Sequence, residues 1–258
     1  IWFPDLEANM EPERYERLKR LLDYVIHSSR TNGNALLVNR GDGEFTDRAD
    51  GLGVRRGGWG WAASMTDFDN DGDRDLVHTT QRVIRVDRKD PVYTYPMVFQ
   101  SNRSAAGGDG AYERVRKETN GMRETDGRGL ATLDYDRDGA QELVIATYDS
   151  EFVVYDNAAG GERHSLQFRV VDEEGSTALG ATVTVTGDGT QTVRHTSNTD
   201  FLSQDSRVEH VGVGNSEMIS LRVVWPDGTE RRFEEIGADQ RLRITKSEVV
   251  VVPGDSAA

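Results

Sequence analysis

The chain contains no cysteine. A disulfide framework and thiolate chemistry are both excluded. Lysine is scarce as well. Only four of the 31 basic residues are lysine, at positions 19, 89, 117 and 246, and the rest are arginine. Acids number 45, which leaves a formal net charge of -14. There is no basic patch to hold nucleic acid or an anionic membrane. An acid excess with few lysines resembles proteins of halophilic prokaryotes, where salt screens the self-repulsion of such a surface. No apolar run approaches the length of a membrane span, so membrane insertion is not expected. Catalytic signatures are missing too. The five histidines, His27, His78, His164, His195 and His210, make no HExxH pair, and there is no GxSxG elbow. The numbering opens at Ile1 without Met or an evident leader, as in a processed chain or a piece of a longer one.

What is present is acid in a fixed spacing. Asp67-Phe68-Asp69-Asn70-Asp71-Gly72-Asp73-Arg74-Asp75 recurs 67 residues later as Asp134-Tyr135-Asp136-Arg137-Asp138-Gly139-Ala140-Gln141-Glu142. Carboxylates crowded at alternate positions repel one another unless a cation neutralises them. Oxygen-only ligands on a tight loop suit a hard ion, and calcium fits best. The first copy is expected to offer side-chain oxygens from Asp67, Asp69, Asp71 and Asp75 and the carbonyl of Asp73. The second would offer Asp134, Asp136, Asp138 and Glu142 with the carbonyl of Ala140, giving two calcium sites. Gly72 and Gly139 permit the sharp turn. These are not EF-hand loops, because the twelfth positions hold His78 and Ile145 where that motif needs Glu. The β-rich runs Leu76–Thr79 and Leu143–Thr147 follow directly, so the loops feed strands.

Around the loops the chain reads in order. Pro12 and the flanking acids Glu11 and Glu13 open a helix over 12–30, whose apolar face carries Tyr15, Leu18, Leu21, Leu22, Val25 and Ile26. Short strands begin near Ala35. Arg40-Gly41-Asp42-Gly43 is read as a hairpin turn and not as an adhesion triplet. A strand is expected at Arg82–Val86. The same order then returns: Val98–Asn102 matches Leu37–Asn39, Gly108–Tyr112 matches Gly41–Phe45, and Gly127–Leu133 matches the glycine-rich run before the first loop. This is an internal repeat of a four-stranded antiparallel unit. Asn157–Gly161 marks a linker. Beyond it the alternating runs predict an antiparallel sandwich or barrel, with a tight turn at Trp225-Pro226-Asp227-Gly228-Thr229 and a fraying tail from Val249.

Residues 35–157 resemble the FG-GAP/VCBS repeats of integrin-type propellers, on Asn39–Phe45, Asp67–Asp75 and their counterparts up to Glu142. Residues 163–246 resemble the ASPIC/UnbV domain, on Leu179–Val183, Phe201–Ser206, His210–Gly214, Val224–Gly228 and Asp239–Leu242. The pair is similar to the cartilage acidic protein family. The resemblance implies an all-β protein: a short N-terminal helix within 1–34, partial β-propeller blades over 35–157, a linker at 158–162, a C-terminal antiparallel β-sandwich or barrel over 163–246, and a tail over 247–258. It also implies calcium in the loops and a secreted or cell-surface module for adhesion, matrix or surface assembly. A glycan-binding module, with Trp59, Trp61, Tyr93 and Tyr95 stacking on sugars, and a polysaccharide lyase are the alternatives. Asn102-Arg103-Ser104 is a sequon that fits an outside location. Two repeats do not close a propeller. Another polypeptide or precursor fragment is therefore expected to complete it, with a surface protein or glycan as a further partner.

Overall fold

A computed structural model describes residues 11–13, 15–16, 20, 33–81, 96–102, 111–115, 121–148, 150–159, 161, 163–187, 191–195 and 200–253. Residues 12, 13, 15, 16 and 20 are helical, and the Tyr15 N–H donates to the Glu11 carbonyl at 3.0 Å, as the Pro12 signal requires. The rest of the helix expected over 12–30, the strand expected at Arg82–Val86, Tyr93, Tyr95, and Arg103 and Ser104 of the sequon lie outside the described residues.

The first half is built from hairpins. Strands β1 (Leu37–Gly41) and β2 (Glu44–Asp47) are joined by Asp42-Gly43. Both turn residues have positive φ, at 51° and 79°. The mirror-image hairpin turn needs that backbone, so the Arg40-Gly41-Asp42 triplet is turn chemistry. Strands β3 (Gly60–Thr66), β4 (Asp75–Thr80), β5 (Met97–Asn102) and β6 (Ala111–Arg114) form one antiparallel sheet in chain order. Strands β7 (Gly127–Leu133), β8 (Glu142–Thr147) and β9 (Val153–Tyr155) form a second, of three strands.

The repeat is reproduced down to its register. Thr66 faces Asp75 and Leu133 faces Glu142, and both pairs of strands carry an irregularity at equivalent points, Gly60/Ala63 and Gly127/Leu130. The sheet boundaries, however, are displaced from the sequence repeat. The β5–β6 hairpin opens the second sequence copy, yet it pairs with β4 and completes the sheet of the first. The equivalent β1–β2 hairpin pairs with no other sheet among the described residues. Ala62 and Val77 meet Leu130, Leu143 and Ile145 in a shared core between the two sheets.

The second half is two four-stranded sheets over one core. Strands β10 (His164–Val170), β11 (Thr182–Thr186), β12 (Gln191–His195), β13 (Glu209–Gly214), β14 (Met218–Val224), β15 (Glu230–Gly237), β16 (Gln240–Ile244) and β17 (Val249–Val251) order as β13-β10-β16-β17 and β12-β11-β14-β15. Leu166, Phe168, Val211, Leu242 and Ile244 of the first sheet pack with Val183, Val185, Ile219, Leu221 and Val223 of the second. Three features differ from the sequence reading. Neither sheet closes into a barrel, and none in the first half is clearly curled into a propeller. The first sheet is mixed, because β10 and β16 run parallel with Gln167 opposite Arg241. Val249–Val251, expected to fray, instead pairs with β16. Alternating hydrophobicity marks strands and faces, but it does not say which strand lies beside which. The structure is therefore all-β, with several antiparallel sheets.

The two halves meet where the first half's edge strands touch the segment between β12 and β13, and where its loops touch β13. Asp205 accepts from the Thr132 N–H at 2.8 Å and from the Ser64 hydroxyl at 3.3 Å, and the Ser203 hydroxyl accepts from the Leu130 N–H at 3.2 Å. Asn70 accepts from the Gly214 N–H at 2.9 Å through its carbonyl. Gly212 on β13 lies so close that a Cβ there would overlap the Asp67 carboxylate and sit 2.5 Å from Asn70 Cα. Gly212→Ala is expected to lower stability by about 1–3 kcal/mol, the usual cost of overpacking. Gly161→Ala, which meets no atom within 4 Å, should not. Calorimetric melting of the two variants checks this, and equal midpoints would contradict the contact.

Candidate metal centre

Each acidic loop joins the strand before it to the strand after it, and each is folded by its own backbone. In the first, Asn70 and Gly72 take positive φ, 58° and 93°. In the second the equivalents Arg137 and Gly139 take 65° and 90°. The left-handed steps curl the chain so that its N–H groups point inward. Asp67 accepts from the Asp71 and Gly72 N–H groups at 3.1 and 2.8 Å. Asp134 accepts from the Arg137 and Gly139 N–H groups at 2.6 and 3.2 Å. The third acids bond alike: Asp71 accepts from the Asp73 N–H and Asp138 from the Ala140 N–H, both at 2.8 Å.

One carboxylate oxygen from each of Asp67, Asp69 and Asp71 lies within 4.8 Å of the others, and the same holds for Asp134, Asp136 and Glu142. The remaining expected ligands divide by geometry. Asp75 stands outside the first cluster. Its two oxygens accept from the Phe68 N–H at 2.9 Å and the Ser101 N–H at 2.7 Å, which ties the loop to β5. Glu142 is one methylene longer. One of its oxygens, Oε2, takes the equivalent bond, from the Tyr135 N–H at 3.1 Å, and Glu142 is still a member of the second cluster. Asp138 is outside the second cluster, and the carboxylate of Asp73 is outside the first. Ala140, which has only its carbonyl to offer, is fully buried.

Asp69 Oδ1 in the first loop and Glu142 Oε1 in the second are buried with no hydrogen-bond partner; among the described residues the other such side-chain oxygens are Thr125 Oγ1 and Asp200 Oδ2, which lie outside the loops. An anionic oxygen removed from water with no donor is costly. It occurs here once in each cluster, among carboxylates. Burial, reinforced by the neighbouring carboxylates and opposed by the Gly72 N–H, pushes Asp67 up to about 8. Burial likewise raises Asp75 to about 7, against the Ser101 and Phe68 N–H groups, and Glu142 to about 7, against the Tyr135 N–H. A divalent cation coordinated by oxygen would satisfy the orphaned atoms and relieve the repulsion together, so the residues present fit one.

Other residues reach the loops from far along the chain. The Gln100 amide donates to Asp69 Oδ2 at 2.6 Å, and the Arg163 guanidinium lies 3.0 Å from the same oxygen. The His210 ring bonds Asn70 Oδ1 at 2.7 Å. The Gly139 carbonyl accepts from the Asn70 amide at 3.0 Å and from the Ser165 hydroxyl at 3.1 Å. Gln167 donates to Asp134. None of these stands at a spacing that sequence reasoning could have used. His78 is packed: it is buried, stacks on Phe99 with centroids 5.9 Å apart, and burial holds its pKa down. Trp61 stacks on Phe201 at 5.4 Å, with the Arg128 guanidinium 4.9 Å from its ring, so the chain itself occupies that face.

Residues 172–251 match the ASPIC and UnbV family, and residues 20–78 match an FG-GAP-like repeat. The second acidic loop falls outside both stretches and is tied to the first by the 67-residue repeat. No curated protein matches. A crystal structure of a candidate cell-adhesion protein from Bacteroides ovatus ATCC 8483 aligns over 86% of this chain and 94% of that one, at 10% identity and a TM-score of 0.24. That likeness is too low to carry an argument. Among the described residues, no helix is long and apolar enough to cross a membrane. An FG-GAP-like repeat followed by an ASPIC and UnbV domain is a composition consistent with cartilage-acidic-protein-like adhesion proteins and with a non-enzymatic module.

Proposed function

We propose that the protein is a calcium-stabilised extracellular or cell-surface adhesion module, in which each acidic loop holds one ion. The observation that carries this reading is that each cluster has a member with a buried, unbonded carboxylate oxygen, Asp69 Oδ1 in the first and Glu142 Oε1 in the second. Asp67, Asp69 and Asp71 would hold the first ion, with the Asp73 carbonyl. Asp134, Asp136 and Glu142 would hold the second, with the Ala140 carbonyl. Asp75 and Asp138 then support the loop backbone from outside. The β3–β6 and β7–β9 sheets are read as two blades of a partial propeller over 35–157, and residues 163–246 as the second domain. The β1–β2 hairpin is the outer half of a further blade, whose inner strands another polypeptide would supply. An affinity on the order of 0.1–1 mM suffices where calcium is abundant outside cells.

Melting with calcium and with chelator, at constant ionic strength, tests the reading. Free calcium at one hundred to one thousand times the dissociation constant should add about 3–4 kcal/mol for each occupied site. Asp69→Asn and Glu142→Gln should each lose part of that gain, and in chelator Glu142→Gln should be no less stable than the wild type, because it removes a charge that burial disfavours. A wild-type midpoint that ignores chelation would refute the assignment.

The chelated protein should also respond to pH. Asp67, Asp75 and Glu142 have folded values raised to about 8, 7 and 7, from ordinary values of 3.8, 3.8 and 4.5. A carboxylate raised in the folded state binds more protons there than when unfolded. Stability is therefore highest below about pH 4 as far as these groups are concerned, and it is lost as pH rises to about 8. Saturating calcium should flatten this decline. The check is urea unfolding across that window, and an equal decline with and without calcium would contradict it.

A further inference from the structure

We infer that Gln167, from the C-terminal domain, is a positioning residue of the second cation site. The inference rests on the calcium reading above. Gln167 lies on β10, the strand between β13 and β16, and is buried. Its Nε2–H donates to Asp134 Oδ2, and its Oε1 accepts from the Arg241 Nε–H at 2.7 Å. Arg241 is the residue directly opposite it in the parallel β10–β16 pair.

The chemistry of the neighbours sets which way the amide points. A guanidinium can only donate, and an ionised carboxylate can only accept. Arg241 therefore claims the amide oxygen, and the NH2 must face Asp134. The Asp134 carboxylate is aimed by three donors. Two are N–H groups of its own loop, from Arg137 and Gly139, and the third crosses from the other domain. An outer donor that fixes the direction of a metal-ligating carboxylate is commonly worth a factor of about 10–100 in affinity.

The first loop is met differently. There the C-terminal domain places the Arg163 guanidinium on Asp69 and bonds Asn70 through His210 and Gly214. Loss of Gln167 should accordingly weaken the second site and spare the first. By reciprocity, calcium in the 134–142 loop strengthens the docking of the C-terminal domain on it.

Calorimetric titration of the full chain with calcium chloride tests this. The wild type should show two sites. Gln167→Leu should weaken one of them about 10–100-fold and leave the other unchanged, and the unchanged site shows that the chain has folded. Arg241→Met, which keeps the amide but frees it to turn, should weaken the same site to a lesser degree. The weakened site is identified as the one missing from Glu142→Gln. Two wild-type affinities in Gln167→Leu, or equal losses at both sites, would overturn the assignment of Gln167 while leaving the calcium reading intact. Wild type that takes up no calcium would remove both.

Discussion

The structure depends on carboxylates crowded at two strand junctions, each cluster with one member, Asp67 or Glu142, buried. Two corners of the first half gather acids so closely that one oxygen in each is buried without a donor. Nothing in the sheets requires this. Asp75 shows the alternative, since both of its oxygens are taken up by backbone N–H groups. The backbone of each loop could satisfy some of its acids but leaves the cluster short of positive charge. A cation would complete it, at the point where two consecutive strands are joined.

These corners are also where the molecule is assembled. Asn70, in the middle of the first loop, bonds the second loop through Gly139 and the C-terminal sheet through His210 and Gly214. Gly212 is pressed against Asp67, and Ser165 and Gln167 reach the second loop. Ordering the loops therefore orders the contact between the halves. An adhesion module that must stay rigid in calcium-rich surroundings and loosen without calcium would be built in this way. The exposed edges expected of an unfinished propeller are covered in part by the same chain, because Ser203 and Asp205 occupy backbone and side-chain groups on β7 and β3.

Much of this was legible in the sequence, for local reasons. The acidic spacing, the loop glycines and the strands that follow are properties of neighbouring residues. The 67-residue repeat returned even as matching registers, Thr66–Asp75 and Leu133–Glu142. What was not legible depends on partners distant in the chain. The half-repeat offset arises because β5–β6 pairs backwards onto β4, and alternating hydrophobicity is blind to the choice of partner. The parallel pairing of β10 and β16 was hidden for the same reason. Asp75 and Glu142 look interchangeable in sequence, and one methylene separates a capped carboxylate from one with an oxygen to spare. Gln167 carried no signal, since its role exists only once β10 lies against the second loop.

On this reading each cluster encloses one cation. Crystals grown in calcium and measured at a wavelength where calcium scatters anomalously test it most directly. Two anomalous peaks are expected, one among Asp67, Asp69 and Asp71 and the other among Asp134, Asp136 and Glu142, with Asp69 Oδ1 and Glu142 Oε1 in their coordination shells. Well-ordered loops with no peak at either cluster, and the two oxygens still unbonded, would contradict it.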